Sequence, residues 1–420
     1  MTSELRHDEA YVWVWLQDTT MPVVAGRLAR DGEDLVFNYG RNYLALENAI
    51  PLYLPELPLQ AGAIPPAPGL AVAGCLRDGA PDAWGRRVIL NRLFGIKDKN
   101  ADIGAIDELT YLLKSGSDRI GALDFQLSPT TYAPRETKVA TLEELFNAAQ
   151  KVEKGIPLTP ELDQALVHGS SVGGARPKAM IEDGDKKLIA KFSSSSDTYS
   201  VVKLEFIAMR LARKAGLDVA PVRLTRVAGK DVLLVERFDR LHTSHGWQRK
   251  ALVSALTLFG LDEMMARYAS YAELTEVIRH RFRQPQTTLR ELFGRLVFNI
   301  LCGNTDDHAR NHAAFWDGRA LSLTPAYDIC PQSRTGNEAS QAMLIAGNNR
   351  RSTLATCLEA APHFLLDKQN ATEIIQSMLA AVRSEWEATC DEAGLPEVDR
   401  NLSWGRLFLN PFIFEGSEMR

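Results

Sequence analysis

The sequence predicts an α+β chain built from more than one lobe, and three observations carry that expectation. Its 420 residues exceed the roughly 250–300 at which a single hydrophobic core stops growing. Short strand-like segments bounded by Gly, Pro and Asp-Gly turns fill the first part, as in "AYVWVWLQ", "VVAGRLAR" and "DLVFNYG". Beyond Ser244 the pattern becomes almost wholly helical, except near "RALSLTPAYDI". The expected order is a small α+β unit, a β-rich lobe with one helix, and a large helical lobe.

Each element has a local reason. After the first strands comes a Pro-rich connection, "PLYLPELPLQAGAIPPAPGL", and then "DAWGRRVILNRLFGI", with Trp84, Val88 and Leu93 on roughly one helical face. "DRIGALDFQL" reads as a further strand. "TLEELFNAAQKVEKG" opens on a capping box, Thr141 with Glu144, and closes at Gly155, which predicts a bridging helix. "KAMIED" and "KKLIAKF" read as strands around the hairpin turn "DGDK". In "SVVKLEFIAMRLARKAGL", Val202, Phe206, Met209 and Ala212 recur at helical steps. "DVLLVERFDR" is an apolar run that breaks into charge.

Composition excludes several classes. With 45% hydrophobic and 24% charged residues the chain is an ordinary globular one. A net charge of -5 and no long basic run argue against an autonomous nucleic-acid binder, though not against reaching DNA through a basic partner. The five cysteines are scattered without CxxC spacing, so reduced thiols are expected rather than a zinc cage or disulfide framework. The start carries no basic region followed by an apolar one, and no 18-residue apolar stretch occurs. A cytoplasmic protein away from membranes is the expectation.

The chemistry concentrates in "CGNTDDHARNH", residues 302–312. His308 and His312 are four apart and invite a zinc reading, but a metalloprotease needs Glu after the first His, and here Ala309 stands there. Asp306 and Asn311 have instead the D-x-x-x-x-N spacing of a kinase catalytic loop. In that chemistry the Asp accepts the attacking hydroxyl's proton and the Asn reaches a metal on the ATP phosphates. Asp328 follows in "TPAYDI", after two short strand-like runs joined at Asp317-Gly318, where a second metal-binding Asp is expected. Upstream, Lys191 in "LIAKF" supplies a phosphate lysine, with Glu205 in the next helix as its partner. Taken alone, Lys191 reads better as a solvent-facing edge-strand lysine. In order with Asp306, Asn311 and Asp328 that alternative loses.

Two segments keep two readings. In "VERFDR", Glu236 and Phe238 fit an adenine hinge, or a strand end closed by a salt bridge. In "HGSSVGGARPKA", Gly173-Gly174 with Arg176 and Lys178 fits a phosphate cradle, or an ordinary hairpin. "SSSSDTYS" reads as a solvated loop; His168, Cys302, Cys330, Trp13, Trp15 and Trp84 are assigned to structure.

These segments, with "LRDGAPDAWGRR" and "SDRIGALDFQ", resemble HipA, the family of serine/threonine kinase toxins of bacterial toxin–antitoxin systems, from about residue 11 to at least 350. The resemblance implies a protein-kinase-like bilobal fold with an extra N-terminal α+β subdomain over residues 1–135. It further implies a bridging helix over 136–165, a kinase N-lobe-like region over 166–241 and a helical C-lobe over 242–420. It implies ATP and Mg²⁺ as cofactors, with Asp306 as base, Asn311 and Asp328 as metal ligands, and Glu205 and His308 in support. Lys191, Val172, Gly173, Gly174, Ala175, Arg176 and Lys178 would hold ATP, with Glu236 and Phe238 as hinge.

Autophosphorylation would fall on Ser171, or on Ser170 beside it, where added negative charge would eject the loop. The implied substrate is an aminoacyl-tRNA synthetase, such as glutamyl-tRNA synthetase, with translation stalled and persistence the outcome. The implied partner is a HipB-like helix-turn-helix antitoxin that carries the complex to operator DNA, where the two together repress their operon. Two departures stand out: Asp307 where well-known members have Gly, and Arg176 where they have Gln. The extra acid could raise the pKa of Asp306 or recruit metal. A lipid or small-molecule kinase of the same fold, and a catalytically silent co-repressor, are the competing expectations.

Overall fold

The computed structural model describes residues 7–94, 106–135, 140–154, 156, 158, 176–194, 197, 199–334 and 336–418. The described residues group into two compact units. One takes those within Met1–Ser196, Thr225–Val253 and Phe315–Arg319; the other takes those within Asp197–Leu224, Ser254–Ala314 and Ala320–Arg420.

The first unit begins with an antiparallel sheet of β1 (Glu9–Val14), β2 (Val23–Asp31), β3 (Asp34–Tyr39), β4 (Ala63–Ile64) and β5 (Leu123–Gln126), in the order β4-β3-β2-β1-β5. Trp13 and Trp15 are buried and both pack on the Tyr132 ring at 5.4 Å, the packing role expected of them. A second sheet holds β6 (Lys178–Asp183), β7 (Lys186–Phe192), β8 (Val222–Val227) and β9 (Lys230–Glu236), in the order β6-β7-β9-β8. Its apolar face carries Ala179, Leu188, Ala190, Phe192, Val232 and Leu234, which join one core with Trp84, Val88, Leu145 and Phe146. Those last four come from the helices Ala83–Phe94 and Leu142–Glu153. The second helix opens on the expected capping box: Thr141 Oγ1 accepts the Glu144 N–H, and Glu144 accepts the Thr141 N–H at 2.8 Å.

Behind β9 lies a buried ion network. Arg237 donates to Asp239 at 2.8 and 3.0 Å and to Asp118 at 3.0 Å; Arg240 donates to Asp118 at 2.8 Å and to Asp239 at 2.9 Å. Asp239 also accepts the Gly121 N–H at 2.8 Å. Burial alone would raise the carboxyls of Asp118 and Asp239, but the two guanidiniums hold both below the usual range. The chain continues into the hairpin β10 (Arg240–Thr243) and β11 (Gly246–Arg249), so strand structure persists past Ser244 where helix was expected.

The second unit is helical around Pro285–Leu301, which is buried on nearly every side. Gly294 sits where a Cβ would lie 2.7 Å from the Met378 methyl and 2.9 Å from a Leu217 methyl, so a side chain there would push those two side chains aside. Around the helix stand Tyr271–Arg281, Leu354–Ala360 and Lys368–Glu392, and Val201–Lys214 packs on Lys368–Glu392. On Val201–Lys214, the anticipated Val202, Phe206, Met209 and Ala212 are all buried. Further along the chain are the short strands β12 (Leu252–Ser254), β13 (Ala313–Trp316) and β14 (Leu321–Leu323), and the turn at Asp317-Gly318 between the last two falls as expected.

Residues 303–353 are largely irregular rather than helical. Gly, Pro and Asn break the pattern there, and backbone bonds such as Ala342 N–H to Thr305 O and Gln332 N–H to Gly303 O replace a helical ladder. Among the described residues no helix is long and apolar enough to cross a membrane.

Asp239→Ala would leave two buried guanidiniums short of a counter-charge. A loss of about 3–5 kcal/mol is expected, read as a lower urea midpoint for the transition that includes this unit.

Candidate active site

The apolar helix Pro285–Leu301 ends by delivering the chain into the loop. Gly303 has φ +70°, its N–H bonds Ile300 O at 3.2 Å, and the Asn304 N–H bonds Asn299 O at 2.8 Å. This is a Schellman termination, with glycine at the left-handed position. A Cβ at Gly303 would also lie 2.5 Å from Leu407 O, so the site excludes side chains twice over.

The loop then presents Asp306. Its side chain is exposed, and neighbouring protein atoms partly desolvate it. That desolvation raises its carboxyl; His308 pulls it back, and Asp328 and Asp307 push it further up, for a net rise. Asn311 Nδ2 donates to Asp306 O at 3.1 Å and the His308 N–H to the same carbonyl at 2.9 Å, which closes the loop on itself. Residues 309–311 form one 3-10 turn. Tyr327 Oη donates to Arg310 O at 2.6 Å, tying the residue before Asp328 to the residue before Asn311. Asp328 itself has φ +58°, a left-handed backbone uncommon outside glycine. Such conformations cluster at functional sites, where surrounding structure holds them.

Asp307 does not join this outward set. It is 2% exposed and faces the interior, where His312 Nε2 donates to it at 3.0 Å and Tyr271 Oη makes a short bond. Burial would raise it, but the His312 charge and the two donors outweigh burial and hold it below the usual carboxylate range. The extra acid is thus committed to a buried pair, and its remaining effect on Asp306 is a minor upward push. His312 faces the same interior, so His308 and His312 share no metal. Among the described residues no group of three or more His, Cys, Asp and Glu could hold an ion.

The first unit holds the other candidates. Lys191 is half-buried on β7, and β7 lies between β6 and β9. It is an interior strand, so the edge-strand alternative is overturned. Lys178 pairs across from it in register. Its ammonium is 2% exposed and bonds Asp82 at 2.7 Å. Arg176 is half-buried. Glu236 accepts from Lys186 at 2.6 Å, an exposed strand-end bridge, and Phe238 meets Phe315 edge-on at 5.8 Å. Glu205 is buried and belongs to the second unit. Ser170, Ser171, Val172, Gly173, Gly174 and Ala175 lie outside the described residues, as do His168 and Gly155. Cys302 and Cys330 are buried, in keeping with structural roles.

Sequence reasoning passed over Asp82, Asp118, Arg237, Asp239, Arg240 and Tyr271. Asp82 does two tasks: Oδ1 accepts the Gly85 N–H at 2.8 Å in the first turn of Ala83–Phe94, and Oδ2 holds Lys178. An Asp three residues before a Gly in "PDAWG" was a readable cap signal; its ion pair with a lysine 96 residues away was not.

Comparison with known proteins adds to this geometry. The HipA-like C-terminal domain matches residues 170–386 and the HipA N-terminal domain residues 12–126. "Putative kinase Y4mE" of Sinorhizobium fredii is 25% identical, over 88% of this chain and 91% of its own length. The serine/threonine-protein kinase toxin HipA of Shewanella oneidensis is 27% identical, over 38% of this chain and 42% of its own. A chain from the solved Shewanella oneidensis MR-1 complex of HipA, HipB and operator DNA superposes with a TM-score of 0.68 at 19% identity, covering 95% of this chain and 96% of that one. The α+β, kinase-like fold anticipated from sequence is the fold observed.

The depressed Asp307 carboxyl makes an acid-stability prediction. Stability from this group is fully present above the ordinary carboxylate pKa of about 4, and is lost as pH falls through the lower folded value. Urea midpoints of the wild type should therefore fall more steeply between about pH 5 and 3 than those of Asp307→Asn; parallel slopes would contradict the assignment.

Proposed function

The chain belongs to the HipA family, and from that premise we propose that it is an ATP- and Mg²⁺-dependent serine/threonine protein kinase. The observation that carries this reading is the grouping of Asp306, Asn311 and Asp328 in one unit. Asn311 bonds the Asp306 carbonyl, and Asp328 lies near enough to raise the Asp306 carboxyl.

The donor set suits a hard cation. Asp328 pushes the Asp306 carboxyl up, a crowding of negative charge that a cation would relieve, and oxygen donors are what Mg²⁺ prefers. Asn311 and Asp328 would hold it, and bound there it would neutralise charge on the phosphates. Asp306 would accept the proton of a serine or threonine hydroxyl as that oxygen bonds the γ-phosphorus and the bond to the leaving ADP oxygen breaks. Lys191 would hold ATP phosphates, with Glu205 and His308 in support. Arg176 and the segment Val172–Ala175 would complete the phosphate loop, and Glu236 and Phe238 would offer backbone to adenine. Lys178 is assigned a different part, since its charge is already placed on Asp82.

The same premise extends to biology. We propose a toxin whose substrate is an aminoacyl-tRNA synthetase and whose own phosphorylation falls on Ser171. Its partner would be a HipB-like antitoxin, through which it would reach operator DNA. A net charge of -5 suits a chain that leaves DNA contact to that partner.

Intact masses of dephosphorylated wild type and Asp306→Asn after incubation with ATP and Mg²⁺ test the core of this reading. Wild type should gain phosphate mapping to Ser171, and Asp306→Asn should transfer about 10²–10⁴-fold more slowly. No gain together with no ATP consumed would reject the kinase. Lys191→Met should lower kcat/KM for ATP by about 10²-fold, with the melting temperature little changed.

A further inference from the structure

The loop repeats its spacing one residue later. Asp306, exposed, and Asn311, half-buried, are five apart; Asp307 and His312 are also five apart and are buried. The inward pair is joined at 3.0 Å, and Tyr271 Oη bonds the other Asp307 oxygen. Tyr271 is itself fixed. Ser270 caps its helix by accepting the Glu273 N–H at 3.1 Å, the Tyr271 N–H bonds Leu344 O at 2.9 Å, and its ring meets the His312 ring edge-on at 5.5 Å. On the loop's entry side, Asn304 Nδ2 donates to Asn299 Oδ1 at 3.0 Å. On its exit side, the Ala255 N–H bonds His312 O at 2.8 Å.

Neighbouring residues share a peptide plane, so seating residues 307 and 312 also sets where 306 and 311 project. We propose that Asp307, His312 and Tyr271 form an internal clasp that positions Asp306 and Asn311 for phosphoryl transfer, and that Asp307 and His312 act as one unit. This rests on the kinase reading above. The clasp residues are positioning residues: they touch neither substrate nor metal and act through the side chains beside them. Misplacing a reacting group by about 1 Å costs on the order of 10²-fold in rate, so a loosened clasp lowers turnover with little effect on nucleotide binding.

The test compares wild type with Asp307→Ala, His312→Ala, the double variant, Asp307→Asn and Tyr271→Phe, using ATP with Mg²⁺ as the probe. Steady-state kinetics, thermal unfolding and amide exchange over residues 304–312 are measured for each. Each alanine single should lose about 10–10²-fold in kcat while KM for ATP stays within about threefold. The double variant should be no slower than the worse single, because the pair is broken by either change. Asp307→Asn keeps an acceptor for Tyr271 and should recover most of the loss.

Folded alanine variants with wild-type kcat would overturn the proposal, as would losses that multiply in the double variant. If wild type itself transfers no phosphate, the functional reading fails, and exchange still decides the clasp. Faster exchange across 304–312 in both singles supports it, and unchanged exchange sinks it.

Discussion

The structure of the first unit depends on charges paired inside it. Asp118 and Asp239 each bind Arg237 and Arg240, and Lys187 reaches Asp118 from the side at 3.7 Å. Burying one ion costs several kcal/mol, and a pair recovers that only with good geometry and further hydrogen bonds. Those are present: Arg237 and Arg240 both donate to Arg119 O, and Asp239 accepts the Gly121 N–H. A hydrophobic replacement could stabilise as well, but it would not specify which loop meets which strand. Here residues 118–121 meet the end of β9 in one register, and that register sets the course of the chain past Phe238.

A second set of buried polar groups governs the loop at residues 304–312, by a different logic. Where two acids stand side by side, one is turned in and one out. The inward carboxylate is stabilised by donors and lies low; the outward one is partly desolvated, faces a third acid and lies high. Environment alone assigns the roles, since the residue types are the same. A carboxyl raised above its usual range is also a stronger proton acceptor once ionised, which suits the role of base proposed for Asp306.

Much of this was legible in sequence where the signal is local. The capping box at Thr141, the strands of "KAMIED" and "KKLIAKF", and the Val202–Ala212 stripe depend on neighbours within a few residues, and the structure places them as read. The spacing of Asp306, Asn311 and Asp328 was legible for the same reason. Failures came where distance decides. "VERFDR" read as an adenine hinge or a strand end closed by a salt bridge, and nothing in it announces Asp118, more than a hundred residues earlier. Asp307 read as a possible metal ligand because Tyr271, 36 residues upstream, is silent about its partner. The stretch 303–353 read as helical around its breaks, whereas its backbone groups are satisfied by long-range bonds that no period encodes.

Register resolves one remaining tension, between the two lysines of the β6–β7 pair. Lys178 and Lys191 are direct cross-strand partners and so project from the same face of the sheet. Like charges opposite one another destabilise a ladder, and more so when half-buried. Asp82 removes that penalty by holding the Lys178 ammonium at 2.7 Å inside the protein. Because Asp82 also caps the helix Ala83–Phe94, the sheet and the helix packed on it share one carboxylate. With Lys178 neutralised by its partner, a second lysine becomes tolerable beside it on an interior strand. Lys191 therefore stands half-buried where a plain hydrophobic sheet would have excluded a lysine. That makes Asp82, far from Lys191 in sequence, part of the reason the lysine proposed to hold phosphate can stand there at all.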